Sequence, residues 1–156
     1  MDLTDLFEEI TNKLKKYKLK DRECIEILEN YNNTDWKEYI KVNNILSNNI
    51  PNNNKSNKVI SEGDYYKNLV LTNDYIDLYI ISWNINTQSP IHKHPDGGCL
   101  LKVLQGNLIE EVYENNKLIE VNIFNKNDIG YREKDKIQHK IINKNNISVS
   151  VHIYRH

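Results

Sequence analysis

Alanine is missing altogether from these 156 residues, while asparagine recurs throughout. That bias reads as AT-rich codon choice, not as a functional signal, and it blurs the usual loop cues. Only two cysteines occur, Cys24 and Cys99, which argues against a disulfide-stapled secreted scaffold and makes a reducing cytoplasm the expected compartment. No long apolar run exists either. The longest is four residues, Leu78 to Ile81, whereas a membrane span needs roughly twenty. Asp2, Asp5, Glu8 and Glu9 break up any signal-peptide core. Charge of one sign is not in excess: 21 Lys and Arg against 22 Asp and Glu leave −1. A phosphate-coating partner calls for a basic footprint, so the expected partners include neither nucleic acid nor membrane.

What is present suffices for one core, since 38% of the residues are hydrophobic. Leu3, Leu6, Phe7, Ile10, Leu14 and Tyr17 recur at spacings of three and four and predict an amphipathic helix. A second helical segment, 22–29, places Cys24, Ile25 and Leu28 together. A third begins at Thr34, a candidate N-cap, with Trp36, Tyr39 and Ile40 on one side. The asparagine-rich stretch 43–57 reads as an exposed loop. From Tyr65 the period changes to two, and strands are expected at 75–83, 100–105, 108–113, 118–124, 139–142 and 147–154. Gly106-Asn107, 114–117 and 144–146 look like hairpin connections. The expected architecture is mainly β, an antiparallel barrel or sandwich behind a small helical segment. Residues 1–63 would pack on a barrel formed by 64–156, the whole a single unit.

Four of the five histidines fall in this β region. His92 and His94 are two apart, so on a strand both rings would face one side. His139 lies on a later strand. Singly, each is readable as an ordinary half-buried histidine; together, three imidazoles on a rigid scaffold suit a divalent transition metal. The ligand set alone accepts iron, zinc, nickel, cobalt or copper. Ser150, His152 and Tyr154 also share a strand face, and a polar row turned into a barrel must find hydrogen-bond partners.

His92-Lys93-His94, then Cys99 and Gly106, resembles the first cupin motif, with Cys99 standing where an acidic ligand is usual. His139 with Asn143 resembles the second, without its Pro and Gly. The cysteine is characteristic of the cysteine dioxygenases. The resemblance extends to Leu28-Glu29-Asn30-Tyr31, Asp35-Trp36, Tyr65-Tyr66-Lys67-Asn68-Leu69-Val70, Trp83, Leu104-Gln105-Gly106-Asn107-Leu108 and Ser150-Val151-His152-Ile153-Tyr154. It implies a cupin barrel holding Fe(II) on His92, His94 and His139, and oxidation of L-cysteine by O2 to cysteine sulfinic acid. It implies that Ser150 orients His152, that His152 orients the Tyr154 hydroxyl, and that Cys99 and Tyr154 form the thioether cross-link of eukaryotic members. Three histidines leave the ion its full double charge, which favours an anionic ligand and deprotonates a coordinating thiol. The chain is expected to be monomeric.

Two departures stand out. Where the family grips the substrate carboxylate with arginine, near Tyr65, this chain has Lys67, which keeps the charge but loses the planar fork. Lys67 reads equally as a solvated surface charge. Another small thiol, 3-mercaptopropionate or cysteamine, and a non-catalytic metal-binding cupin therefore remain alternatives. The sequence given also stops two residues past Tyr154, where relatives continue with further strands. Their loss is expected to expose a sheet edge or open the pocket, and His156 is expected to be a mobile terminal residue.

Overall fold

The computed structural model describes residues 1–40, 65–94, 96–133 and 137–156. The expected loop at 43–57 and the expected boundary at 63/64 lie outside these residues. Helix α1 (Leu3–Leu14) opens on a capping box: the Asp2 carboxylate accepts from the Asp5 N–H at 2.9 Å, and the Asp5 carboxylate accepts from the Asp2 N–H at 3.0 Å. It buries Leu3, Leu6, Phe7, Ile10 and Leu14, the face that the spacing predicts, and ends before Tyr17. Helix α2 (Arg22–Asn30) buries Cys24, Ile27 and Leu28, with Ile25 only half-buried. The third segment is a 3-10 turn, Asp35–Tyr39, and Thr34 makes no side-chain cap. Asp35 instead accepts from the Leu3 N–H at 2.7 Å and the Tyr31 hydroxyl at 2.7 Å, tying this turn to the start of α1.

Among the described residues nine strands follow: β1 (Tyr65–Thr72), β2 (Ile76–Trp83), β3 (Thr87–Gln88), β4 (Cys99–Gln105), β5 (Asn107–Glu114), β6 (Lys117–Asn125), β7 (Ile129–Arg132), β8 (Ile137–Asn143) and β9 (Ser148–Arg155). They form two antiparallel sheets, in the orders β1-β2-β9-β4-β7 and β3-β8-β5-β6. The mainly β expectation holds, but two of the three expected hairpins are not hairpins. Gly106 and residues 144–146 carry the chain from one sheet to the other, since β4 and β5, like β8 and β9, belong to different sheets. The turn residues signalled a sharp reversal, not the partner. Gly106 is required there: its φ is +73°, and a Cβ would collide with the Ser148 hydroxyl. Of the three, 114–117 closes a true hairpin, β5 to β6, through Asn115 and Asn116 at φ +51° and +62°.

The five-stranded sheet is buried on both faces. Leu78, Ile80, Leu100, Val149, Val151 and Ile153 pack with the helices in one cluster. Ile81, Trp83, Leu101 and Val103 face Leu108 and Ile141 of the other sheet. That second layer encloses the candidate site. Among the described residues no helix is long and apolar enough to cross a membrane.

Candidate active site

β9 sets the first side of the site. With Val149, Val151 and Ile153 under the helices, Ser150, His152 and Tyr154 turn inward by the two-residue period. Trp83 Nε1, which can only donate, bonds Ser150 Oγ at 2.9 Å. The Ser150 hydroxyl hydrogen is then free for His152 Nε2, 2.9 Å away. When that hydrogen goes to Nε2, His152 Nδ1 carries the ring hydrogen, facing Tyr154 OH at 3.4 Å and Cys99 Sγ at 3.7 Å. The chain of donors runs Trp83, Ser150, His152, Tyr154. Burial keeps His152 neutral by lowering its pKa well below the ordinary value.

Cys99 sits directly across from Tyr154 in the β4–β9 ladder. Gly98, at φ +84° and closed against Tyr131, leads into it. Burial pushes the Cys99 thiol up to about 12 and raises Tyr154 as well, so both keep their hydrogens in the metal-free chain.

The histidine pair reaches the site differently from the expectation. His92 and His94 are not on a strand; the segment from Ser89 is laid irregularly along β8. Ser89 exchanges backbone and hydroxyl bonds with Ile141, and His92 makes an isolated two-way bridge to His139 at 2.9 and 3.0 Å. Pro90, with no N–H, has none to give a ladder there. The rings converge all the same: one ligand nitrogen from each of His92, His94 and His139 lies within 4.8 Å of the others.

These donors fit a cation. His92 Nδ1 faces the Pro90 carbonyl at 2.9 Å and His139 Nδ1 faces the Glu110 carboxylate at 2.7 Å. Both partners only accept, so both Nδ1 atoms carry hydrogen, and in the neutral rings that leaves the Nε2 lone pairs for a ligand role. Those two Nε2 atoms stand 3.0 Å apart, close enough to share a proton in the metal-free chain or to turn together toward one cation. Burial lowers the pKa of His92 and brings His94 to about 3, which favours the neutral, ligating form.

Glu110 and Arg132 were not among the residues singled out in the sequence. Glu110 is 0% exposed; burial raises its pKa, but bonds from His139 and Arg132 more than offset this and bring it to about 2. The signal was available, for Glu110 sits in the inward phase of β5 between Leu108 and Val112. Trp83 likewise emerges as a partner of Ser150.

A cavity of about 400 Å³ opens beside the histidines, lined among others by Lys67, Tyr79, Trp83, His92, His139 and Tyr154. Lys67 is exposed as a whole, yet its Nζ lies 4.1 Å from the Tyr79 ring centre and 4.2 Å from that of Tyr154. Burial at that end lowers its pKa. Tyr65 stacks on Trp83 at 4.7 Å. His156, expected to be mobile, bonds the Tyr75 carbonyl through its N–H at 3.0 Å and holds Nε2 3.5 Å from Asp77 at the cavity mouth.

A family model for cysteine dioxygenase type I matches residues 2–156. The chain belongs to the cysteine dioxygenase type I family. Cysteine dioxygenase type 1 from Bos taurus is 33% identical over 100 residues, covering 58% of this chain and 50% of the bovine protein. The Rattus norvegicus protein of the same name is 32% identical over 100 residues, with the same coverages. The chain thus spans about half the length of the curated relatives it matches. Among solved structures, a cupin domain from Bordetella pertussis Tohama I superposes with a TM-score of 0.50 at 13% identity, over 63% of this chain and 99% of that one. An RmlC-like cupin family protein with a double-stranded β-helix fold, from Methanocaldococcus jannaschii, gives 0.51 at 13% identity, over 65% and 90%. At such identities the likeness is one of fold, and the fold is cupin.

Proposed function

We propose that this member of the cysteine dioxygenase type I family is an Fe(II)-dependent thiol dioxygenase that adds both atoms of O2 to the sulfur of L-cysteine, giving cysteine sulfinic acid. The observation that carries the reading is the meeting of three histidine nitrogens, two of them Nε2 atoms 3.0 Å apart, at the wall of an open cavity. His92, His94 and His139 would hold the metal; bound there, Fe(II) supplies a Lewis acid that ionises the thiol and the redox chemistry that O2 requires.

The chain's own groups orient the reactants around that point. Lys67, its ammonium over Tyr79 and Tyr154, meets the substrate carboxylate. Tyr154 OH, aligned by His152, donates to the oxygen developing at the sulfur, and the Trp83–Ser150–His152 chain holds that hydroxyl's direction. Ile81, Trp83 and Ile141 wall the cavity with apolar surface and limit water. Cys99 and Tyr154, facing each other across the ladder, suit the thioether that eukaryotic relatives carry; forming it removes two hydrogens, with O2 as the oxidant.

The test is anaerobic loading with Fe(II), then O2 uptake with L-cysteine, 3-mercaptopropionate and cysteamine. Uptake with L-cysteine that yields the sulfinic acid supports the reading. Preference for another thiol moves the substrate assignment, and no uptake with any thiol despite bound iron contradicts a dioxygenase.

A further inference from the structure

Glu110 lies behind His139, on the Nδ1 side of the ring, while Nε2 faces His92. Its two oxygens meet four donors. Oε1 accepts from His139 Nδ1 at 2.7 Å and Arg132 Nε at 2.8 Å; Oε2 accepts from the second Arg132 nitrogen and from Asn122 Nδ2 at 3.1 Å. A carboxylate offers about four lone-pair sites, so every one is used. The donors come from different strands, Asn122 on β6, Arg132 on β7 and His139 on β8, with Glu110 on β5. β7 belongs to the five-stranded sheet and the other three to the four-stranded sheet, so the cluster spans both.

We propose that Glu110, braced by Arg132 and Asn122, is a positioning residue that locks His139 as an Nε2 ligand. The inference rests on the reading of His92, His94 and His139 as metal ligands. Two constraints follow from one bond. In the neutral ring an acceptor-only partner at Nδ1 fixes the tautomer with its hydrogen there, which leaves the Nε2 lone pair for the metal. The same bond, on a carboxylate that Arg132 clamps at two nitrogens, fixes the ring's rotation about its side-chain bonds. Arg132 also balances the charge of Glu110, so the carboxylate orients the ligand without neutralising the ion. Among the described residues no carboxylate joins His92, His94 and His139 in the candidate ligand group. Glu110 reaches that group only through His139 Nδ1. Removing such a partner weakens metal binding by roughly ten- to a hundredfold in comparable sites.

The experiment compares the wild-type chain, Glu110→Gln and the double variant Glu110→Leu/Arg132→Met. The double variant removes the buried pair together and leaves no lone charge to unfold the chain. Two readouts are taken: Zn(II) affinity by competition with a chelator, and the ring-nitrogen NMR shifts of His139 in the metal-free protein. The expected result is a single Nδ1–H tautomer in wild type and a mixture in the folded double variant. Its Zn(II) binding is then about ten- to a hundredfold weaker, with Glu110→Gln, which keeps one acceptor oxygen, in between. A folded double variant with the wild-type tautomer and affinity overturns the proposal while leaving the metal site standing. A wild-type chain that binds no Zn(II) overturns the underlying reading, and with it the ligand role.

Discussion

On the proposed reading, the single ammonium of Lys67 meets the substrate carboxylate where the family resemblance implies a forked guanidinium, and its surroundings suit that role. The Tyr79 and Tyr154 rings hold Nζ from two sides, so the charge is placed without a bidentate partner. Replacing Lys67 by Met is expected to raise KM for L-cysteine by about tenfold to a hundredfold, the worth of one charged hydrogen bond. Cysteamine, which has no carboxylate, should be nearly unaffected; equal losses for both thiols would remove Lys67 from the substrate. Trp83 offers a second test. Trp83→Phe keeps an aromatic face for Tyr65 but deletes the bond to Ser150. It should lower kcat by about fivefold to thirtyfold and leave metal affinity unchanged, read from turnover and Zn(II) titration together.

The elements show where the helical segment is anchored. Lys102 is 1% exposed, on the helix-facing side of β4, and its Nζ donates to the carbonyls of Leu28, Glu29 and Tyr31 at 3.1, 3.0 and 2.7 Å. These carbonyls end α2, where backbone acceptors lack helical partners and a cation is favoured. Lys102→Met is expected to cost about 1–3 kcal/mol and lower Tm by roughly 2–12 °C, with Zn(II) affinity intact. Loss of Zn(II) affinity along with Tm would tie the helices to the site itself.

The same strands explain what the sequence could reveal. β5 alternates between a buried phase and a half-exposed one, so its period was plain. β9 is buried on both faces except near its end, and only the polar residues at 150, 152 and 154 disclosed which face turns inward. β7 was missed because four residues with Gly130 at their centre carry too little pattern, and β1 because its burial alternates only weakly. His92 and His94 do lie together, but through a bridge to β8 that the two-residue rule does not encode. Glu110 was legible from that period, as a charge in the buried phase between Leu108 and Val112, but glutamate is so common on surfaces that the phase alone did not single it out.

Over the whole molecule, one sheet serves two interiors: helices cover its outer face, and the ligand cavity lies on its inner face. Buried neutral histidines make that design sensitive to acid. Below pH 6.5 the unfolded chain takes up a proton at His94 that the folded chain refuses down to about 3. Stability of the metal-free protein therefore rises with pH across that window, by about 1.4 kcal/mol per pH unit for each such histidine. Thermal melts of the metal-free chain at pH 7, 6 and 5 should show Tm falling in step, and a flat series would contradict buried neutral rings. Saturating Zn(II) should raise Tm at pH 7, by about 2.7 kcal/mol of stability at a hundred times Kd, and progressively less on acidification as protons compete for the nitrogens.

The most direct test of the account uses isotopically labelled dioxygen. Supplied with Fe(II), L-cysteine and 18O2, the chain is predicted to release cysteine sulfinic acid with both oxygens labelled, one O2 consumed per sulfur oxidised. Cystine as the sole product, or a sulfinic acid that carries solvent oxygen, would contradict it.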